Sequence, residues 1–235
     1  MKNKVLDKGF VEVIDSLGND LTVVNSARVS FGKRKTKFDK TDERLVRYLA
    51  KHKHYSPFRH LQVQFHVKAP EFVMRQWYKH VVGIETTSNS STKDHAWNEI
   101  SGRYVEVEDF YIPEIWRKQS KDNKQASEGQ LDEETNSRAA HAYDVALTTT
   151  QNMYERLVKH YGVAKEQARV ILPLSQYTEV YWTASFQAVM NFIELRNEKT
   201  SQIEIQEYAK VLLQQMELTF PKTTQLWSEA HGWTS

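Results

Sequence analysis

The feature that most constrains the fold is a strict alternation of apolar and polar residues over 61–67. Four apolar side chains occupy every second position: Leu61, Val63, Phe65 and Val67. Successive side chains of a strand point to opposite faces, so this pattern predicts a half-buried β-strand. The chain therefore contains a sheet with one apolar face.

Other patterns predict a hairpin and several helices. Residues 10–31 carry β-branched and apolar residues on both sides of a glycine-containing turn, which predicts a β-hairpin. Periodic apolar positions predict helices over 132–161 and 185–196. A last long helix is expected after Ser201, because Ser201 and Glu204 have the spacing of a capping box.

Composition excludes several kinds of chemistry. The 235 residues include no cysteine, which excludes disulfides, cysteine-ligated zinc, iron–sulfur clusters and a thiolate nucleophile. There is no P-loop, no G-x-G-x-x-G and no H-E-x-x-H. His52, His54 and His60 lie close together, but Pro57 breaks the helix that would align two of them. No metal site is therefore predicted.

Charge and hydropathy limit the partners. The 32 basic and 30 acidic residues give a net charge of +2, which does not support a nucleic-acid partner. The N-terminal segment lacks the apolar core of a secretory signal, and no run of about 18 apolar residues occurs. We expect a single domain over residues 1–235, located in the cytoplasm and without a membrane partner.

Residues 98–104 place a carboxylate, a hydroxyl, a glycine and an arginine close together. The backbone N–H groups of Ser101 and Gly102 could face an anion, and Arg103 could bind a phosphate through two hydrogen bonds. The alternative is an ordinary polar turn with a surface arginine–glutamate pair. The segment alone does not decide between the two interpretations.

Two arginines lie in apolar surroundings. Arg169 lies within the apolar run 168–174, and Arg196 ends the apolar face of a predicted helix. An arginine at the edge of a core is costly unless it is paired or faces a ligand. The alternative for Arg196 is a guanidinium at the surface, paired with Glu194 or Glu198.

Several short motifs occur in one order between about residue 5 and residue 230. They are Ala27-Arg28-Val29-Ser30-Phe31, His54-Tyr55-Ser56-Pro57-Phe58-Arg59-His60, Phe65-His66-Val67-Lys68-Ala69-Pro70, Arg75-Gln76-Trp77, Asn98-Glu99-Ile100-Ser101-Gly102-Arg103-Tyr104, Ala168-Arg169-Val170-Ile171-Leu172-Pro173 and Met190-Asn191-Phe192-Ile193-Glu194-Leu195-Arg196. In content and in order they resemble the flavin-dependent thymidylate synthases.

The resemblance implies an α+β fold, with an antiparallel sheet flanked by long helices. It implies a homotetramer with active sites at subunit interfaces. The implied reaction converts dUMP to dTMP, with FAD as cofactor and NADPH and methylenetetrahydrofolate as co-substrates. The absence of cysteine agrees with this, because the other class of thymidylate synthase uses a cysteine nucleophile.

The resemblance also assigns residues by matched position. Contacts with the nucleotide are expected from Gln76, Lys79, Glu99, Ile100, Ser101, Gly102, Arg103, Arg169 and Arg196. Contacts with the flavin are expected from Ser30, His54, Ser56, Lys79, His80, Lys93, Glu99, Ser185 and Asn191. Arg196 is the expected catalytic residue. Its guanidinium would stabilise the enolate charge on the uracil ring, and it stays protonated at neutral pH.

The chain departs from the family signature of Arg-His-Arg, seven residues and then Ser. It reads Lys79-His80-Val81, and an inserted loop at about 82–95 separates this segment from Ser101. Lys79 keeps a positive charge but loses the planar fork of arginine, and Val81 cannot donate a side-chain hydrogen bond. We hypothesise that Lys93 replaces this donor.

Three other positions differ on the flavin side. Ser185 and Gln187 stand where the family usually has Asn and Arg, and Arg59 stands where it often has Glu. Three alternatives therefore accompany the synthase with a remodelled flavin pocket. One is a related enzyme that modifies another pyrimidine nucleotide or hydroxymethylates dUMP. The second is an inactive nucleotide-binding homologue, and the third is a non-enzymatic helical scaffold that uses the helix over 132–161.

Overall fold

The computed structural model describes residues 2–79, 95–106, 108–124 and 126–233. The predictions for His80, Val81 and Lys93 lie outside the described residues, as does almost all of the predicted inserted loop. The strands are β1 (Asn3–Val5), β2 (Gly9–Leu17), β3 (Gln62–Pro70), β4 (His95–Glu99), β5 (Arg117–Gln119), β6 (Ser127–Gln130) and β7 (Tyr177–Ser185). The α-helices are α1 (Asp20–Arg28), α2 (Lys40–Lys51), α3 (Glu71–Tyr78), α4 (Glu133–Lys159), α5 (Lys165–Ala168), α6 (Phe186–Arg196), α7 (Ile203–Thr219) and α8 (Pro221–His231).

The main sheet is antiparallel, with strand order β1-β2-β3-β7-β4. Its central strand β3 contains residues 62–67 of the alternating segment, and Val63, Phe65 and Val67 are fully buried on one face. The predicted strand is therefore confirmed. Each side chain of β3 has a direct neighbour on β7, with Phe65 opposite Trp182.

The predicted hairpin over residues 10–31 is wrong in its second half. The chain forms β2 and then turns into helix α1, and β2 pairs with β1 and β3 instead. Asn19 caps the helix by accepting a hydrogen bond from Leu21 N at 3.0 Å, and its own N–H donates to Thr22 Oγ1 at 3.0 Å. This capping box outweighs the β-propensity of the valines that follow.

Helices α3, α6 and α7 cover the apolar face of the sheet. Fully buried Trp77 of α3 lies at the centre of this layer. Its ring stacks on Phe192 of α6 at a centroid distance of 4.5 Å and meets Trp182 of β7 edge-on at 5.3 Å. Aromatic pairs of this kind add to the stabilisation from burial. The core thus fixes α3 and α6 relative to the strands that build the site.

The predicted capping box of the last long helix is also wrong. Helix α7 begins at Ile203, and its N-cap residue makes no side-chain cap. Ser201 Oγ instead donates to the backbone oxygen of Leu195 at 3.0 Å. The Glu204 carboxylate is buried and accepts two hydrogen bonds from Arg117, at 2.8 and 3.0 Å. Glu204 therefore pairs with Arg117 of β5, which is distant in sequence, and does not cap the helix as the local pattern predicted.

The architecture confirms the predicted α+β class, with an antiparallel sheet and flanking helices. Among the helices that the structure describes, none is both long and apolar enough to cross a bilayer.

Candidate active site

A cavity of about 1070 Å³ opens at the end of the sheet where β7 begins and β4 ends. It is large enough to hold a nucleotide-sized ligand. Several residues singled out by the sequence line it: Glu99, Ile100, Ser101, Gly102 and Arg169. Two segments that lie far apart in the sequence are thus brought together here.

The backbone after β4 places the Ser101–Gly102 segment at the cavity. Ile100 N donates to the backbone oxygen of Glu179 on β7 at 2.9 Å, and this extends the strand pairing by one residue. The chain then turns, because the N–H groups of Tyr104 and Val105 both donate to the backbone oxygen of Ser101. Ser101 Oγ accepts from Arg103 N at 3.3 Å. The segment predicted to face an anion is therefore a hydrogen-bonded turn at the cavity wall.

Arg169 approaches this turn from a second segment. It begins a short 3-10 turn, Arg169–Ile171, directly after α5. A side chain at Gly102 would have its Cβ 3.8 Å from Arg169 Nη1, so the glycine backbone and the guanidinium are direct neighbours. Arg169 is exposed within the cavity and makes no ion pair among the described residues. This arrangement suits an anion, because backbone N–H groups and a planar guanidinium would converge on it.

Arg103 has the partner that the polar-turn interpretation predicted. Its Nε atom lies 3.4 Å from Glu166 Oε2, and both side chains are more than half exposed. Arg103 itself is not among the residues that line the cavity. The arginine–glutamate pair is therefore present, and the anion-binding interpretation stays a prediction for the turn that lines the cavity.

Glu99 is held by a hydrogen bond that the sequence did not reveal. Thr178 of β7 is buried, and its Oγ1 atom donates to Glu99 Oε1 at 2.6 Å. Burial, with the nearby Glu99 charge, raises the pKa of Tyr78 above its usual value. Glu99 itself is exposed, while Tyr78 beside it is partly buried.

Glu71 also lines the cavity, and sequence reasoning missed it. Burial raises the pKa of its carboxyl, and the charge of Glu99 adds to the effect. Glu71 follows Pro70 as the first residue of α3, where an acidic residue is an ordinary stabiliser of a helix N-terminus. Only the tertiary structure brings it to the same cavity as Glu99.

Arg196 lies at the end of α6, beside α3. One of its terminal nitrogens, Nη2, donates to the backbone oxygen of Gln76 at 3.4 Å. Its Nε atom is buried without a partner among the described residues, and burial lowers the pKa of the guanidinium. In the described part of the chain no ion pair joins it to Glu194 or Glu198, so the surface-pair alternative is not what the structure adopts. Buried donors of this kind are uncommon and are consistent with a ligand site.

Gln76 and Arg196 are not part of the cavity lining. Gln76 Nε2 donates to Gln202 Oε1 at 2.6 Å, so its amide is already engaged. Lys79 is exposed at the end of α3. The structure therefore groups Gln76 with Arg196 and groups Glu99, Ser101 and Gly102 with Arg169.

The expected flavin residues lie elsewhere on the chain. Ser30, His54 and Ser56 are exposed. Ser30 follows α1, which packs beside the 3-10 turn Ser56–His60, and this turn lies next to the start of β3. Strand β7 is nine residues long, so this end of the sheet is roughly 26 Å from the cavity end. One chain does not bring the two groups together.

Helix α6 starts at the flavin-side end of the sheet. Ser185 is fully buried, and its Oγ accepts a hydrogen bond from Ala188 N at 3.2 Å, so it caps this helix. Asn191 is half-buried, six residues further along the chain. Gln187 has a buried side-chain oxygen without a hydrogen-bond partner among the described residues. Helix α6 therefore begins near the expected flavin residues and ends at Arg196, one of the expected nucleotide residues.

The fold and the site define an α+β protein with a cavity suited to a small anionic ligand. The family model described as "Thymidylate synthase complementing protein" matches residues 12–222. A flavin-dependent thymidylate synthase from Thermosipho africanus is 40% identical over 210 residues, which cover 89% of this chain and 86% of that protein. One from Thermus thermophilus is 43% identical over 210 residues, which cover 88% of this chain and 71% of that protein.

The chain therefore belongs to the flavin-dependent thymidylate synthase family, as its motifs predicted. The prediction of an enzyme is confirmed with it, so the scaffold alternative is set aside.

Solved structures give a further comparison. A crystal structure of the UMP/dUMP methylase PolB from Streptomyces cacaoi, bound with 5-Br UMP, has a TM-score of 0.80 and 28% sequence identity. The similarity covers 97% of this chain and 96% of that chain. The same methylase bound with 5-Br dUMP gives a TM-score of 0.81 at the same identity. The fold described above is thus shared over nearly the whole length.

Proposed function

We propose that the chain is a flavin-dependent thymidylate synthase that binds dUMP in this cavity and converts it to dTMP. The proposed cofactor is FAD, with methylenetetrahydrofolate as one-carbon donor and NADPH as reductant. The observation that carries the proposal is the convergence of Ser101, Gly102 and Arg169 on one cavity. It occurs in a chain about 40% identical to enzymes with this name.

In this proposal the turn at Ser101–Gly102 and Arg169 hold the phosphate group of the nucleotide. Arg103 joins them by leaving Glu166, which it contacts at 3.4 Å. Ile100 and Glu99 line the space beside the phosphate. The remaining expected nucleotide contacts, Gln76, Lys79 and Arg196, do not line the cavity of one chain, so another subunit of the proposed homotetramer would supply them. Multiple donors from two segments would fix the position of the phosphate and so orient the pyrimidine ring.

Arg196 is the proposed catalytic residue. Its Nε–H has no partner among the described residues, so the guanidinium can donate to an oxygen of the pyrimidine ring without first losing a hydrogen bond there. Burial strengthens its interaction with the negative charge that develops on the ring, because less water screens it. The guanidinium acts as a fixed cation and donor and not as a base.

The residues on the flavin side fit a polar heterocyclic cofactor. Ser30, His54, Ser56 and Asn191 offer hydroxyl, imidazole and amide groups, and Gln187 offers a buried oxygen without a partner among the described residues. FAD, when bound, supplies the hydride for the reaction. We propose that Ser185 acts on this side through its cap of α6, and that Lys79 and Glu99 lie where flavin and nucleotide meet.

The separation of the two groups supports a homotetramer with active sites between subunits. The cavity and the flavin side lie at opposite ends of one sheet, so residues of another subunit would complete each site. Large apolar side chains beside the cavity are exposed, with Tyr104 and Val170 each 81% exposed. Exposed apolar groups next to a binding site are typical of surfaces that another chain covers.

Three further proposals concern the chain as a whole. Residues 1–235 form a single domain, and the loop at about 82–95 brings His80 and Lys93 to the flavin. The protein acts in the cytoplasm, without a nucleic-acid or membrane partner. Substituting Lys93 by Ala tests the loop, because unchanged FAD affinity would contradict its proposed role.

A second candidate function is methylation of UMP, or hydroxymethylation of the same ring. It is favoured by the similarity to a UMP/dUMP methylase over nearly the whole chain. UMP and dUMP differ only in the ribose 2′-hydroxyl, and the phosphate contacts proposed here are the same for both.

The test is the visible absorption spectrum of the protein after FAD is added and the excess removed, with and without dUMP or UMP. A retained flavin band that dUMP perturbs is expected, because the two sites adjoin across subunits in the proposed homotetramer. Arg169→Ala should keep the flavin band and lose the perturbation. Arg138→Ala, at an arginine that is 81% exposed on α4, is the matched control and should behave as wild type. Absence of a flavin band under every condition would contradict the proposal.

A further inference from the structure

Two ion pairs join α5 to the chain just after the turn at Ser101–Gly102. In one pair this chain segment supplies the cation, and in the other it supplies the anion. Arg103 pairs with Glu166 at 3.4 Å, and Glu106 pairs with Lys165 at 2.7 Å. The hydrogen bond from Lys165 lowers the pKa of Glu106, so this second pair stays ionised over a wide pH range. Because the pairs come from adjacent residues of one helix, they hold the turn against the segment that carries Arg169.

The cavity is unusually acidic for a phosphate site. Its described lining includes six glutamates: Glu71, Glu99, Glu106, Glu108, Glu155 and Glu166. Arg169 is the only lysine or arginine among the described residues that line it. A site with this charge can hold one phosphate between Arg169 and the nearby Arg103, but any further negative charge would face repulsion.

The three glutamates at the α4–α5 side of the rim differ in what happens when a phosphate binds. Glu106 keeps Lys165, and Glu155 keeps Lys159 at 3.3 Å. Glu166 loses its ion-pair partner Arg103, because Arg103 is proposed to turn to the bound phosphate. The negative charge of Glu166 is then left without a partner, close to the bound phosphate.

We propose that Glu166 determines the length of the phosphate chain that the site accepts, and selects nucleoside monophosphates over diphosphates. This inference rests on the proposed nucleotide site. A monophosphate replaces the carboxylate of Glu166 at Arg103 and neutralises the arginines. A second phosphate is joined through one bridging oxygen, so it stays within a few ångströms of the first and meets the freed carboxylate. At a separation of about 6 Å and an effective dielectric constant of about 40 to 80, as expected for a half-exposed carboxylate, one such repulsion changes affinity by about threefold to tenfold.

The test measures dUMP and dUDP affinities by calorimetry, with the FAD-loaded protein and with Glu166→Gln. The wild type should bind dUMP more tightly than dUDP. The variant should bind both more tightly, with the larger gain for dUDP, so that the ratio of the two affinities narrows by about threefold to tenfold. The difference between the proteins should shrink as the salt concentration rises, because Glu166 is 55% exposed. A change in the shape of α5 alone would not produce this salt dependence.

Glu155→Gln is the matched control, because Glu155 lines the same cavity and keeps its own lysine. It should alter the ratio by less than about twofold. An unchanged ratio in Glu166→Gln, with dUMP still bound, would overturn the inference. So would an equal effect in the control, or a wild type that binds dUDP as tightly as dUMP. If no variant binds dUMP at all, it is the proposed function that fails.

Discussion

Substituting Thr178 by Val tests whether the orientation of Glu99 matters for nucleotide binding. Thr178 is 4% exposed, and its hydroxyl donates to Glu99 at 2.6 Å. Valine has nearly the same shape, so it removes the hydrogen bond without leaving a cavity. A hydrogen bond to a charged group contributes about 1.5–3 kcal/mol. Glu99 is exposed, so water replaces the lost donor and the net effect falls to about 1 kcal/mol.

That value corresponds to about a fivefold weaker affinity for dUMP, together with a small loss in the free energy of unfolding. Calorimetric titration of the FAD-loaded protein measures the affinity, and urea denaturation measures the stability. Thr178→Ser is the control, because it keeps the hydroxyl but loses a buried methyl group, at a cost of about 1 kcal/mol in stability. It should bind dUMP as the wild type does. Wild-type affinity in Thr178→Val, or an equal loss in both variants, would refute the reasoning.

Three further predictions concern stability. Asp42 is fully buried and pairs with two cations, so Asp42→Asn should lower the free energy of unfolding by about 3 kcal/mol in urea denaturation. Asp39→Asn keeps a capping oxygen and should lower the free energy of unfolding much less than Asp42→Asn does. Gly9→Ala would place its Cβ 2.0 Å from the hydroxyl oxygen of Tyr208, and should lower the midpoint of thermal unfolding, with a cost of about 3 kcal/mol. Burial and a neighbouring carboxylate raise the pKa of Glu71, so the folded protein holds this proton more tightly than the unfolded chain does. The free energy of unfolding should therefore fall as pH rises from the ordinary to the raised pKa, and Glu71→Gln should remove that fall; an identical pH profile would contradict it.

The sequence predicts those parts of the fold in which the spacing of apolar residues matches the face that becomes buried. The alternation in β3 follows from one face packed against helices, and the long helices follow from apolar stripes. The second half of the predicted hairpin failed because valines favour a strand only where a partner strand is available. At α1 the cap from Asn19 and the burial of Val23 and Val24 stabilise a helix instead. The capping box at Ser201 failed because Glu204 is taken by Arg117 from a distant hairpin.

For the candidate site, too, the sequence predicts some of the residues and misses others. Ser101, Gly102 and Arg169 carry their chemistry in the local sequence, and the structure brings them to one cavity. Glu71 and Thr178 reach that cavity only through strand pairing and the direction of α3, which no local pattern encodes. The flavin side has a different limitation, because its residues lie at the far end of the sheet. Its completion depends on the proposed assembly of subunits.

The most direct test of the central claim is the product formed by the FAD-loaded protein from dUMP, methylenetetrahydrofolate and NADPH, identified by chromatography and mass. The account predicts dTMP, formed only when all components are present and lost in Arg196→Ala, a variant that should still retain FAD. A protein that binds FAD and dUMP but forms no dTMP, or forms a hydroxymethylated nucleotide instead, would contradict it.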